Sequence, residues 1–322
     1  MRKQYSGIVV CMSLALAMPY ANADYPDKAV RFVVGFTPGG PSDIVARLLG
    51  QKLAEAWGQQ VVIDNRAGAG GNIAAELVAK SAGDGYTLLL GNNSILATNA
   101  ALYTKLNFDP VKDFAPVILV ASQPNILVVH PSLPVKSVKD LIALAKAKPG
   151  QLNYASSGSG AAAHLSGELF KAMAHVDLVH IPYKGAAPAL NDVLAGQDQM
   201  MFATSLSVMP HIQSGRLRAL AVTTARRMKA LPQLPTVAEA GVPGFEATTW
   251  HGIVVSSSTP AALVSRINAD AAKVLQLPDV RERFAVLGAE IIGGTPDEFA
   301  AYIKKEIPKW TKVVKESGAR AD

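Results

Sequence analysis

Cysteine is almost missing from this chain: its 322 residues contain one, Cys11. Cys11 lies in the N-terminal apolar stretch and lacks the small residue expected just before a lipidated cysteine. Without it the chain can use neither disulfides nor thiol chemistry, and only its core can hold it together. Metal-ligand spacing is missing too. The six histidines (His130, His164, His175, His180, His211, His251) form no HExxH or similar pattern, so neither a metal nor a cofactor is expected. There is no Gly-Lys-Ser/Thr phosphate loop, and the glycines of 35–40 do not space as GxGxxG. Beyond the N-terminus no segment is apolar enough to span a membrane. Basic residues are scattered; the one cluster, Arg226-Arg227-Met228-Lys229, has no aromatic neighbours, which argues against a nucleic-acid partner.

What is present begins with an export signal. Arg2 and Lys3 give a basic start, residues 8–18 are an apolar run too short to span a bilayer, and Ala21-Asn22-Ala23 is a small-x-small cleavage site. The expectation is a periplasmic protein with its signal peptide, residues 1–23, removed after Ala23. Losing Arg2 and Lys3 takes the formal charge from +6 to +4. A remaining chain of roughly 300 residues, about half apolar, suffices for two modest domains.

The chain is organised around residues 31–50, RFVVGFTPGGPSDIVARLLG. Residues 31–34 read as a strand and the Gly/Pro run as a turn. Ile44, Val45, Leu48, Leu49, Leu53 and Trp57 then recur at helical spacing, with Pro41 at the helix entry and Ser42 or Asp43 placed to cap it. A strand–turn–helix leaves free backbone N–H groups at the positive end of the helix dipole, which suits an anion. Plain α/β punctuation explains the glycines equally well.

The same grammar continues. Residues 60–64 read as a strand, followed by the glycine-rich loop 65–72 and a helix over 73–80. A strand over 86–90 leads into the polar loop Gly91-Asn92-Asn93-Ser94. Short alternation of this kind predicts a mainly parallel sheet covered by helices, with ligands beyond the carboxyl ends of the strands. Residues 116–129 form a long β-rich run broken by Gln123-Pro124, read as the chain leaving one domain for another. A second set of strand–loop–helix units follows, with loops at 156–160, 183–185 and 204–205. Three strand ends carrying small, hydroxyl or glycine residues favour a cleft. Around 244–255 the chain crosses back, and the remainder reads as helical, with a capping box at Thr295–Glu298 and a kink or split expected at Pro308.

Ser156, Ser157, Ser159 and His164 raise a secreted serine hydrolase as a rival, but the loop is not GxSxG and no acid partner is evident. His164 reads most simply as a partly buried histidine bonded to a neighbouring loop, and Arg47 and Arg66 as ion-pair residues. Trp57 lies on the apolar stripe of its helix, whereas Trp250 fits core or cleft equally.

A series of motifs then runs in order from Pro38 to Gly241: Pro38-Gly39-Gly40-Pro41-Ser42-Asp43 with Ala46-Arg47, Asn65-Arg66-Ala67-Gly68-Ala69-Gly70-Gly71-Asn72-Ile73, Asp84-Gly85-Tyr86-Thr87 and Asp113-Phe114-Ala115-Pro116-Val117. It continues with Tyr154-Ala155-Ser156-Ser157-Gly158, His164-Leu165-Ser166-Gly167-Glu168-Leu169-Phe170, Pro182-Tyr183-Lys184-Gly185 and Pro235-Thr236-Val237-Ala238-Glu239-Ala240-Gly241. In these the chain resembles the Bug-type receptors, the periplasmic solute-binding component of tripartite tricarboxylate transporters. The resemblance implies an α/β, two-lobe periplasmic binding protein fold (type II), each lobe a mainly parallel sheet flanked by helices. Lobe 1 would comprise 24–123 and 249–322, lobe 2 would be 124–248, and the ligand cleft would lie between them.

It also implies a non-catalytic receptor, expected to be a monomer, that captures a small organic carboxylate and delivers it to a membrane permease. Presentation of the ligand to a sensor protein is the alternative. Carried across by position, Phe36, Thr37, Gly39, Gly40 and Asp43 form one wall, with Asn92, Asn93 and Ser94 beside them. Ser157, Gly158, Ser159, Gly160, Lys184 and Gly185 face them. This chain departs from many relatives at Ser159-Gly160-Ala161, where they have Asn-Gly-Thr after Ser-Gly, and at Ala203-Thr204, where they have aspartate after the Phe. Without that aspartate a ligand amine has no partner, which implies a carboxylate with an apolar or aromatic body.

Overall fold

The structure, a computed structural model, describes residues 25–321. The signal peptide, its cleavage after Ala23 and Cys11 lie outside the described residues. Strand β1 (Val30–Val34) pairs in parallel with β2 (Val61–Asn65) and β3 (Thr87–Asn92). Phe32, Val33 and Val34 are all fully buried, as expected for a parallel strand covered on both faces. On one face β1 meets Val45, Leu49 and Leu53 of helix α1 (Pro41–Trp57); on the other, Val33 and Leu89 meet Ala74, Ala75 and Val78 of α2 (Asn72–Ala79). Helix α1 stops at Gly58, whose left-handed backbone lets its N–H return to the Ala54 carbonyl at 3.0 Å.

The long run after residue 113 is one continuous strand, β4 (Phe114–Val129), that runs through Gln123-Pro124. Its first part pairs antiparallel with β9 (Thr248–Ser256), through Pro124 opposite Thr248. From Asn125 onward its partners are β7 (Met200–Thr204) and β8 (Arg218–Val222). Pro124, which cannot donate to a ladder, therefore falls where the strand changes partners. A second parallel set, β7 with β5 (Asn153–Ser156) and β6 (Val179–Pro182), completes the order β2-β1-β3-β9-β4-β7-β5-β6. Around this second set lie helices α4 (Val138–Ala147), α5 (Ala162–Ala174), α6 (Ala186–Leu194) and α7 (Ser205–Gln213). Its core includes a cluster of Phe170, Phe202 and Phe245 rings.

The C-terminal part is not wholly helical. After α8 (Ala261–Gln276) and α9 (Pro278–Val286), residues Glu290–Gly293 form β10 along β4. This strand is too short to show a period. Helix α10 (Pro296–Ser317) opens on the expected capping box and continues through Pro308 without a break. It docks by Trp310 and by Glu306, whose Oε2 accepts from the indoles of Trp250 at 3.0 Å and Trp310 at 2.8 Å. Trp250 is therefore core. Trp57 is half-buried, edge-on to Tyr25, and donates to Asp270 at 3.0 Å.

The polar loop 91–94 also differs from expectation. Asn92 is the last residue of β3, and a π-helical turn (Ser94–Thr98) and α3 (Asn99–Leu102) follow directly. Asn92 Oδ1 accepts from the Ile95 N–H at 3.2 Å, tying the strand end to that turn.

Candidate functional site

At the entrance to α1 neither proposed cap is used. Gly40 is the N-cap residue, Pro41 the first helical residue, and no side chain caps the end. Asp43 turns back instead. Its Oδ2 accepts from the Gly39 N–H at 2.9 Å and from Arg47 Nε at 2.8 Å, and its Oδ1 accepts from Asn65 at 3.0 Å. Burial works to raise the Asp43 pKa, but these hydrogen bonds, led by that from Arg47, outweigh it and hold the carboxyl below its usual range. Asp43 thus ties the turn down, and the N–H groups of Ser42 and Asp43 keep no intrahelical partner.

The first turn of α1 faces a narrow cleft with a cavity of about 40 Å³. One wall is Phe36, Pro41, Ser42, Asn92, Asn93 and Ser94. The floor comes from the two strands that cross between the sheets, with Asn125 on β4 and Thr249 and His251 on β9. Residues 249 and 251 point one way and Trp250 the other, by strand alternation. The Thr249 hydroxyl donates to Asn125 Oδ1 at 2.9 Å, and Asn125 Nδ2 donates to Ser166 at 3.1 Å, so the floor is itself braced. The facing wall is Ser157, Ala161, Ala162, Ala163, Ala186, Met201, Phe202, Ala203 and Thr204.

No charged side chain lines this space. Its polarity comes from backbone ends: α1, α5 and α6 each present their first residues to it, and α7 its N-cap Thr204, and the N-caps Gly40, Ala161, Gly185 and Thr204 make no side-chain capping bond. Of the helices that do not line it, α4 and α10 are capped by Ser137 and Thr295, whereas α2, α8 and α9 are uncapped too. Four uncapped N-termini converging on one small volume make a positive field without a basic residue. Asn93 is fully buried on the wall, and neither its Nδ2 nor its Oδ1 has a hydrogen-bond partner among the described residues. A native fold rarely leaves an amide in that condition unless something else is to satisfy it.

Of the residues named from sequence, Phe36, Asn92, Asn93, Ser94, Ser157, Ala203 and Thr204 line the cleft. Thr37, Gly39, Gly40, Asp43, Gly158, Ser159, Gly160, Lys184 and Gly185 do not. Several of these form the seam where the two walls meet. A Cβ on Gly185 would overlap Thr37 Oγ1, one on Gly40 would lie 3.7 Å from the Ala186 Cβ, and one on Gly160 would overlap Leu102. Lys184 is exposed. Sequence reading missed Asn125, Thr249 and His251. The signal was there, as polar residues inside otherwise apolar strand runs.

The serines of the 156–160 loop have no base–acid arrangement. Ser156 bonds His180 at 2.6 Å, but Ser156 is fully buried and off the cleft. His164 Nδ1 accepts from the Gly160 N–H at 2.9 Å, bracing the loop. Among the described residues no group of three or more His, Cys, Asp or Glu could hold a metal ion.

Residues 45–319 match the family model described as tripartite tricarboxylate transporter family receptor, TctC. The chain belongs to that receptor family. A curated relative, BugT of Bordetella pertussis, is 39% identical over 95% of this chain and 94% of its own. Among solved structures, R. palustris Rpa4515 with adipate superposes with a TM-score of 0.90 at 43% identity, covering 92% of this chain and 99% of that one. MatC (Rpa3494) from Rhodopseudomonas palustris with bound malate gives 0.86 at 34%, covering 90% and 100%. The fold is accordingly the two-lobe binding-protein fold expected from the motifs, with its cleft between the lobes. TctC receptors are periplasmic solute-binding proteins that work with a membrane permease. No helix among the described residues is long and apolar enough to cross a membrane.

Proposed function

We propose that this TctC receptor captures a linear dicarboxylate with an apolar body and hands it to its permease without chemical change. The observation that carries this is the cleft with four uncapped helix N-termini, the unpartnered Asn93 amide and no charged side chain. One carboxylate would meet the Ser42 and Asp43 N–H groups and Asn93, and the other the first turns of α5 and α6 and Thr204 at the head of α7. Phe36, Ala161, Ala162, Met201, Phe202 and Ala203 would cover the methylenes. Adipate, present in the structure of the relative at 43% identity, fits that description.

The lobes in this reading are 24–123 with 249–322, and 124–248. The leader is removed after Ala23, and the receptor acts in the periplasm. No turnover is expected, because the one cleft-lining Ser–His pair, Ser42 with His251, has Gln123 and not a carboxylate as its third member.

A thermal-shift panel of adipate, its diamide, 2-aminoadipate, malate and citrate tests this. A ligand at 100 times its Kd adds about 2.7 kcal/mol, a rise of several degrees at this size. Adipate should stabilise the protein, its diamide should not, and 2-aminoadipate should do so less than adipate. Equal shifts with acid and amide, or tighter binding of the amino acid, would overturn the proposal.

A further inference from the structure

Ser42 is both the second residue of α1 and part of the cleft wall, and its hydroxyl is not free to turn. Ser42 Oγ lies 2.9 Å from His251 Nε2, and His251 Nδ1 lies 3.0 Å from Gln123 Nε2. The three side chains are buried: Ser42 is 4% exposed, Gln123 1% and His251 1%. They come from three separate parts of the chain, α1, β4 and β9.

The direction of hydrogen bonding along this line follows from the chemistry of its first member. Gln123 turns its Nε2 to the ring and leaves its buried Oε1 without a partner among the described residues; in this orientation the amide nitrogen has only hydrogens to give, and the His251 nitrogen facing it, Nδ1, is the one with the lone pair. A neutral imidazole has one N–H, which is then on Nε2, directed at Ser42 Oγ. Burial keeps His251 neutral, with its pKa down to about 3. Ser42 Oγ is thus an acceptor towards His251, and its own proton must go elsewhere. The open direction is the cleft that both Ser42 and His251 line.

We propose that Gln123 and His251 are positioning residues that hold Ser42 as an obligate hydrogen-bond donor to a ligand carboxylate. The inference rests on the carboxylate reading above and adds a specificity device to it. Beside the Ser42 and Asp43 N–H groups, the hydroxyl makes this end of the cleft a cluster of donors. It suits a group that only accepts, as an ionised carboxylate does, and penalises an amide nitrogen or an alcohol proton placed there. The same line explains why Ser42 is no nucleophile. Nε2 already bears a proton, so His251 cannot take another from Ser42 while it stays neutral.

The test has a ligand-free arm and a ligand arm. In the first, 15N spectra of histidine-labelled protein read the His251 tautomer, with His251→Phe assigning the signal. Nε2 should be protonated and Nδ1 bare. The reverse tautomer would mean that Ser42 donates to His251, and would overturn the proposal. In the second arm, calorimetry measures adipate binding to wild type, Ser42→Ala and Gln123→Glu. A glutamate at 123 would accept from His251, move the proton to Nδ1 and turn Ser42 away from the cleft. Ser42→Ala and Gln123→Glu should each weaken adipate binding about tenfold or more. Full affinity in Ser42→Ala would overturn the proposal, even if Gln123→Glu does not fold. If wild type binds no acid at all, the carboxylate reading fails, and the tautomer still decides the direction of the line.

Discussion

The buried histidines set how this receptor responds to acid. Burial pushes His164 down to about 4 and His251 to about 3. His180, stacked on His164 at 4.0 Å, is pushed to about 3 by burial and then by His164. An unfolded histidine takes its proton near pH 6.5. Between that pH and the folded values the unfolded chain binds more protons, so the stability these groups contribute is full above about pH 6.5 and falls as pH drops below it. His164 and His251, the two buried rings, should each cost about 2 kcal/mol at pH 5. Urea midpoints at pH 7.5 and pH 5 should therefore differ clearly, and equal midpoints would refute the neutral-ring assignment. Asp43 works in the same sense, with a lowered pKa whose contribution is lost only at more acid pH, as pH falls through its folded value. Asp43→Ala would strip the Gly39 N–H, Arg47 and Asn65 of their partner. A loss of about 2 kcal/mol or more in denaturant unfolding is expected, because the side chain ties the turn to α1 and β2.

At the scale of elements, the crossing strands connect the core to the cleft. In β9, Trp250 and Glu306 of α10 lock one face while Thr249 and His251 form the floor on the other. Gly252 lies between these roles. A Cβ there would overlap the Phe299 ring and fall 2.9 Å from the Ile118 backbone oxygen, and backbone in the middle of a sheet cannot give way cheaply. Gly252→Ala should therefore destabilise by about 2 kcal/mol or more. A melting temperature within one degree of wild type would show that the α10 contact is softer than this geometry implies. The first turns of α1 and α6 carry the opposite design, with glycine and alanine letting one wall approach the other.

For the whole molecule, the walls meet at the seam of Thr37 with Gly185 and Gly40 with Ala186, which is the arrangement expected of a ligand-bound receptor. Small-angle scattering should give the compact profile of this structure when a bound acid saturates the cleft, and a larger radius of gyration without it. Identical profiles would mean that the lobes do not separate and that the ligand enters by another route.

Much of this was legible in the order of residues. Helical spacing from Ile44 to Trp57, the apolar strand before it and the glycine-rich turn between them are local patterns, and local sterics decide them. The motifs from Pro38 to Gly241 were enough to place the chain among the TctC receptors. Tertiary structure decided what those residues face. Asp43 looked like a ligand group or a cap until Gly39, Arg47 and Asn65 were seen around it. Gly39, Gly40, Gly160 and Gly185 belong to the turns expected, yet lie beside the cleft, because glycine permits close approach without specifying to what. Gln123, Asn125, Thr249 and His251 read as polar interruptions in apolar strands. Their partners lie up to 209 residues away in sequence, as with Ser42 and His251. A hydrogen bond has a direction only once its partner is known, and no local pattern carries that information.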